Sequence, residues 1–341
     1  MTTLDPHRAA LALVIPVAAA LICAGLIVLL RPLLQRYALS RPNARSSHVT
    51  PTPQGGGIAV MAATGIAAAL PGLLGVPYLG NAILVVLTAA FSLAAVGMID
   101  DLRPIPVFPR LALQLAAVTL LFVALPSQIR ILETIPISLE RALLILGLLW
   151  FINLVNFMDG LDWMTVAEML PMTAALAGFA FFGQAPSDVL PIALALAGAL
   201  LGFAPFNRPV ARLFLGDVGS LPIGLIIGWC LLELASRQHF AAAVLLPLYY
   251  LADATITLFR RLANGERFWD AHRSHFYQRA TDNGFSVRQV VTDVFLLNVL
   301  LAGLAMASIA IGSTRVDVTV LLLGALGVMA VLVRFSRPRI D

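Results

Sequence analysis

The stretch LLWFINLVNFMDGLDWMTVAEML, residues 148–170, decides how this chain is to be read. It runs apolar for about two helical turns, sets Asn153, Asn156, Asp159 and Asp162 at steps of three, and then turns apolar again. Residues three or four apart are neighbours on a helix surface, so these groups form a polar stripe on a helix otherwise suited to hydrocarbon. Such a stripe is costly unless partnered, which marks its members for function or for packing between helices.

The chain keeps the same character outward from that stretch. Of its 341 residues, 60% are hydrophobic and 12% charged, with a mean hydropathy of +0.93, whereas a soluble domain carries about 25% charge. Runs able to cross roughly 30 Å of hydrocarbon recur at 9–30, 56–74, 80–98, 108–126, 139–155, 164–183, 189–206, 218–235, 239–257, 289–311 and 317–334. These eleven segments predict an all-α polytopic membrane protein, folded as a single integral-membrane catalytic domain over 1–341. The first run is too long for a signal-peptide core and lacks a convincing cleavage site, so it is expected to be kept as a span. Cys23 and Cys230 both sit in apolar runs without metal-ligand spacing and imply neither a disulfide framework nor a redox site.

All 22 basic residues are arginine. If the amino terminus is outside, one set of loops and ends holds seventeen of them and the other only five, Arg8, Arg130, Arg141, Arg237 and Arg315. Positive charge is retained on the cytoplasmic side, so the first set is expected inside, together with the carboxyl terminus. The polar loops near 31–55, 99–107, 156–163, 207–217 and 258–288 all fall on that face, which is where chemistry is expected.

Asp100 and Asp101, in GMIDDL, close the third span. Adjacent helical residues diverge by about 100 degrees, so the two carboxylates are expected to do different work, unless they are simply a solvated helix-end pair. Asp217 lies between glycines in LFLGDVGSLPIG, where Ser220 and the free amides of a helix start suit an anion beside a carboxylate-held cation. Asp253 lies inside the ninth span with Arg260 seven residues later on about the same face, a spacing that an intramembrane ion pair would also explain. In HRSHFYQRA, His272 and His275 are three apart, with Arg273 and Arg279 close by and Trp269 just upstream. Histidines and arginines in this density can neutralise and orient phosphate oxygens, whereas a zinc site would need three or four close ligands. The loop at 41–57 adds Arg45, His48 and three glycines, enough for a mobile anion-binding flap, although ordinary positive-inside topology accounts for its arginines as well.

Carboxylates, histidines and arginines gathered at one membrane interface suit phosphoryl chemistry between a soluble diphosphate and a lipid, with Mg²⁺ as the natural ion and Mn²⁺ as its substitute. A transporter of a phosphorylated solute would instead place its polar groups near the bilayer midplane. A single short loop on a membrane bundle gives no groove for nucleic acid.

GMIDDL (97–102), NLVNFMDGLD (153–162), FLGDVGS (214–220) and HRSHFYQR (272–279), in this order and at these intervals, resemble the polyprenyl-phosphate N-acetylhexosamine-1-phosphate transferase family, glycosyltransferase family 4. The resemblance runs over nearly the whole chain, from RSSHVTPTPQGGG (45–57) to the histidine loop. It implies an enzyme of a bacterial inner membrane that moves a sugar 1-phosphate from a UDP-N-acetylhexosamine to undecaprenyl phosphate, releases UMP, requires Mg²⁺ and acts at the cytoplasmic face; a homodimer is left open. It implies that Asp217 is a magnesium ligand, that Asp100 and Asp101 lie at the catalytic centre, and that Asp159 and Asp162 belong to the nucleotide and metal neighbourhood. His272 and His275 would face the diphosphate, with Arg45, His48, Asn153, Asn156, Trp163, Ser220, Asp253, Arg260, Arg273 and Arg279 as substrate-binding candidates. The enzyme making the first lipid intermediate of peptidoglycan, the alternative within the family, carries consecutive histidines in the last motif, and HRSH followed by FYQRA looks more like the O-antigen-initiating branch. Relatives commonly read DGLDG where this chain has Trp163 after Asp162. Either the turn there does not need a positive φ, or the indole has moved into the donor pocket.

Overall fold

The computed structural model of the chain describes residues 6–40, 51–73, 80–125, 129–267 and 272–339. Arg45, His48 and Trp269 lie outside the described residues. Every apolar segment named above coincides with helix. In order these are α1 (Pro6–Tyr37), α2 (Gly56–Leu73), α3 (Asn81–Leu102), α4 (Val107–Ala124), α5 (Ile137–Met158), α6 (Met164–Phe181), α7 (Val189–Phe203), α8 (Asp217–Ser236), the pair α9 (Phe240–Leu245) and α10 (Leu248–Ala263), then α12 (Val287–Ile311) and α13 (Thr314–Phe335), with the short α11 (Phe276–Asp282) before α12. Among the described residues, eight of these helices are long and apolar enough to cross a membrane, while α2 and α7 are shorter apolar helices. The chain is a multi-pass membrane protein.

The ninth segment departs from the expected single span over 239–257. It breaks between α9 and α10, where Pro247 stands directly before α10. Proline has no N–H to give to the preceding turn and its ring crowds the carbonyl four residues back, so the helix restarts there. The second half carries a polar buried face, Asp253, Thr257 and Arg261, opposite the exposed Ile256 and Phe259.

α8 is the axis of the bundle. It is buried along nearly its whole length and packs on α2, α3, α5 and α9. α12 and α13, at the periphery, expose leucines such as Leu296, Leu300, Leu322 and Leu326, as helices facing hydrocarbon should. α1 and α2 pack on α7, and α6 packs between α7 and α12.

The non-helical pairing is small and sits next to the site. β1 (Leu39–Ser40) pairs antiparallel with β2 (Thr52–Pro53), matching Leu39 with Pro53 and Ser40 with Thr52. Gln54 then forms a parallel bridge with Phe214, and the amides of Gly56 and Gly57 donate to the carbonyls of Phe214 and Leu215 at 2.9 and 2.8 Å. Gly57 lies so close to Gly219 that a β-carbon on it would stand 2.3 Å from the Gly219 backbone. The expectation of a mobile glycine flap is therefore corrected for residues 55–57. These glycines let the start of α2 seat directly on the segment leading into α8.

Candidate active site

Three of the helix termini that carry the polar motifs converge. Asp101 at the end of α3, Asn156, Asp159 and Asp162 at and beyond the end of α5, and Asp217 at the start of α8 line one cavity of about 220 Å³, together with Gln54, Asn207 and Phe214.

The adjacent aspartates on α3 face different partners. Asp100 accepts the Ile105 amide at 2.5 Å and the Arg110 guanidinium at 2.6 Å. Asp101 turns to α8, accepting the amides of Asp217 at 3.0 Å and Val218 at 3.1 Å. The first amides of a helix have no partner within it, and a carboxylate that takes two of them caps the helix and complements its dipole. The helix-start amides expected to receive an anion are thus already bonded to an anion of the protein itself. Ser220, buried deeper, shares with Asp217 the amide of Asn156, whose Nδ2 donates to Asp217 Oδ1 at 2.7 Å and lies 2.9 Å from Ser220 Oγ. Arg110 Nη1 comes within 3.7 Å of Asp217 Oδ2 and so stands between Asp100 and Asp217.

The opposite wall is the turn between α5 and α6. Asp159 accepts a short hydrogen bond from the Thr165 hydroxyl. Burial, helped by the negative charges of Asp101 and Asp162, pushes its carboxyl up to about 7 against the effect of that hydroxyl. Asp162 accepts the Ala211 amide at 2.9 Å and so ties the turn to the loop between α7 and α8. Trp163 has φ +64°, in the left-handed region. The turn therefore needs the conformation that glycine adopts most readily, and tryptophan adopts it at a cost of about 1–3 kcal/mol. What offsets this is visible: the Trp163 amide donates to Asn207 Oδ1 and its indole Nε1 donates to the Ala204 carbonyl, both at 2.7 Å. Asn207 Nδ2 passes the restraint on to the Leu213 carbonyl at 3.0 Å.

Asn153 lies one turn deeper than Asn156 and outside the cavity lining. Its Nδ2 donates to Gln114 Oε1 on α4 at 2.7 Å and to the Leu149 carbonyl at 2.8 Å. The polar stripe thus divides: its deepest member holds two helices together, and the other three face the cavity.

The histidine motif stands behind the α5–α6 turn. The Tyr277 hydroxyl donates to the Phe157 carbonyl at 2.9 Å. It passes so close to Gly160 that a β-carbon there would meet it at 2.2 Å, which is why glycine occupies that position. The His272 and His275 rings are 4.9 Å apart. His272 Nδ1 lies 2.8 Å from the Ser274 hydroxyl, and His275 Nδ1 lies 3.1 Å from Asp253 Oδ1. Asp253 is fully buried and contributes no surface to a ligand; its partner is His275 rather than Arg260. Arg260 instead donates to the Ser274 carbonyl at 2.6 Å and covers the Phe276 ring. Arg273 reaches Thr281 at 3.1 Å and Asp282 at 3.3 Å within its own motif. Arg279 is half-buried, and its charge lowers the basicity of Arg260 after desolvation, which contributes more.

Gln54, Arg110, Thr165 and Asn207 join the site without having been singled out in the sequence. Arg110 had one readable signal: the proline-rich RPIPVFP connection is too short to carry it away from Asp100. Among the described residues, no three His, Cys, Asp or Glu groups form a ready metal cage. The donors on offer are hard carboxylate and amide oxygens crowded with like charge, a set that fits a Mg²⁺ ion held by one or two carboxylates and completed by water and substrate phosphates. Asp217 faces the cavity with a quarter of its side chain exposed and is the best placed to hold it.

The multi-pass helical bundle gathers acidic helix ends around one cavity, and the comparisons with known proteins place it among membrane transferases. Residues 83–235 match the model of glycosyl transferase family 4. The chain is 29% identical over 328 residues to the decaprenyl-phosphate N-acetylglucosaminephosphotransferase of Mycobacterium tuberculosis, covering 86% of this chain and 81% of that one. It is 30% identical over 296 residues to the enzyme of that name from Mycolicibacterium smegmatis, covering 76% and 72%. It is also 30% identical over 319 residues to the phospho-N-acetylmuramoyl-pentapeptide-transferase of Mycobacterium bovis, covering 78% and 87%. The chain belongs to the polyprenyl-phosphate N-acetylhexosamine-1-phosphate transferase family.

Proposed function

We propose that this chain transfers an N-acetylhexosamine 1-phosphate, GlcNAc or a 6-deoxy-HexNAc, from its UDP-sugar to undecaprenyl phosphate, with Mg²⁺ as cofactor, releasing UMP and initiating a cell-surface glycan such as O-antigen. The observation that carries this reading is the single cavity into which Asp101, Asn156, Asp159, Asp162 and Asp217 are brought from the ends of α3, α5 and α8. The seventeen-to-five distribution of arginines supports a cytoplasmic cavity and a bacterial inner-membrane location.

In the reaction, an oxygen of the lipid phosphate forms a bond to the β-phosphorus of the donor, and the bond from that phosphorus to the bridging oxygen breaks, its electron pair leaving with UMP. A phosphate monoester has its second pKa near 6, so the attacking group is largely dianionic at neutral pH and needs little help from a base. The protein's task is positioning and charge neutralisation. Bound at Asp217, Mg²⁺ would supply charge neutralisation to the diphosphate oxygens. Asn156 orients the Asp217 carboxylate, Asp101 fixes the start of α8 that carries it, and Arg110 balances Asp100 beside it. The face of Phe214 and the α5–α6 turn offer a surface for the nucleotide.

The test is UMP release by the purified protein with undecaprenyl phosphate, Mg²⁺ and a donor panel of UDP-GlcNAc, UDP-6-deoxy-HexNAc sugars and UDP-MurNAc-pentapeptide. Release with the first or second class supports the proposal. Release with the peptide donor alone would make the chain a peptidoglycan enzyme, and solute uptake into proteoliposomes without UMP release would make it a transporter.

A further inference from the structure

Asp253 is the most fully enclosed carboxylate around the histidine motif, with no exposed surface on α10. A buried carboxylate is costly to desolvate and persists only where donors replace water. Here five do: His275 Nδ1 at 3.1 Å, the Phe276 amide at 3.0 Å and the Thr257 hydroxyl at 3.3 Å reach Oδ1, while the Tyr277 amide at 3.1 Å and the Tyr249 hydroxyl at 3.3 Å reach Oδ2. Each oxygen thus receives a backbone amide at the start of α11. An asparagine at this position, in either orientation, would set its NH₂ group against one of those amides.

We propose that Asp253 is the positioning residue of the histidine motif. It holds His275 as the Nδ1–H tautomer and fixes that ring where it tilts against His272, 4.9 Å away between centroids, and stacks on Tyr277. The chemistry follows from the pair itself. A ring nitrogen aimed at a carboxylate carries the proton, and the opposite nitrogen then keeps its lone pair. The mechanical link runs through the next residue: the Tyr277 amide is held by Asp253, and the Tyr277 hydroxyl is bonded to Phe157, two residues before Asp159. The carboxylate thereby couples the motif to the floor of the cavity, which Gly160 lines. This role rests on the transfer reaction proposed above, and Asp253 itself touches no substrate in it.

Two measurements test the assignment. The first uses the unaltered protein in detergent, labelled with ¹⁵N-histidine, with the His275 signal identified by its loss in His275→Gln. A protonated Nδ1 and an unprotonated Nε2 are expected, and an Nε2–H tautomer would overturn the proposal whether or not the protein transfers sugar phosphate. The second is a double-substitution cycle on folded protein. Asp253→Asn is expected to lower kcat about 10–100-fold with the donor KM changed less than about threefold, and to cost no more than about twofold further in the His275→Gln background. Equal losses in both backgrounds would show that Asp253 acts independently of His275. Should Asp253→Asn be recovered unfolded, the tautomer alone decides. Absence of transfer by the unaltered protein would sink the functional reading while leaving the tautomer result standing.

Discussion

Asp217, which opens α8, and Asp253, inside α10, are both aspartates of the same membrane bundle, and their surroundings are opposite. Asp253 is saturated, its two oxygens receiving five donors from the protein itself. Asp217 keeps a quarter of its side chain open to the cavity, takes one amide from Asn156, and has Arg110 only at 3.7 Å. A buried acid whose donors are all internal has its charge compensated before any ligand arrives, and it shapes the protein. An acid crowded by Asp100 and Asp101 and left partly open, with fewer donors of its own, is the one suited to meet a ligand from outside. The difference separates architecture from chemistry among residues that look alike in the sequence.

The comparison breaks most visibly at Asp217. Asp217→Asn keeps the shape and removes the charge that would hold a cation, so kcat should fall by at least about 100-fold while the protein stays monodisperse in detergent with an unchanged thermal transition. Activity within tenfold of the parent would remove Asp217 from the metal role. The same assay with EDTA in place of Mg²⁺ should abolish UMP release from the parent, and Mn²⁺ should restore it.

Asp101 lies between the two types, because it lines the cavity yet spends both oxygens on the start of α8. Asp101→Asn should therefore show both kinds of loss: about 1 kcal/mol of stability from the weakened cap, and a drop of roughly tenfold in kcat as Asp217 loses its fixed backbone. A variant with normal stability and no activity would assign Asp101 to chemistry alone.

The helical frame was legible in the sequence because long apolar runs leave little else for backbone groups to do in hydrocarbon. The break at Pro247 was not, since proline is tolerated within membrane helices and its effect depends on neighbours. The Asp159–Asp162 pair could be read from its spacing. The split between Asn153 and Asn156 could not: a step of three rotates a side chain by about 60 degrees, enough to face α4 in one case and α8 in the other. Arg110 and Gln54 acquire their roles from helices distant in the chain, which no local pattern encodes. Trp163 shows the same limit, since the sequence posed its two alternatives and only the dihedral angle removed the first. With the turn shown to need a positive φ, Trp163→Gly should relieve strain, lose the indole bond to Ala204 and change Tm by only a few degrees. It should shift donor preference by about three- to tenfold through the loop carrying Asn207, with the Mg²⁺ requirement unaltered. An unchanged donor profile would assign the indole to packing.

Asn153 offers the smallest effect on activity and the clearest control on the opening stripe. Its amide is enclosed between Gln114 and the Leu149 carbonyl, on the side of α5 away from Asp217. Asn153→Leu would strand the Gln114 side chain in a buried position, at about 1–3 kcal/mol of stability. Turnover of the protein that stays folded should nevertheless remain within about twofold, because no atom of the pair lines the cavity. Stability and activity would then separate within nine residues of one helix end, with Asn153 carrying the first and Asp159 and Asp162 the second. A tenfold loss of kcat in folded Asn153→Leu protein would mean that the α4–α5 contact sets the position of the catalytic turn, and the stripe would have to be read as one unit.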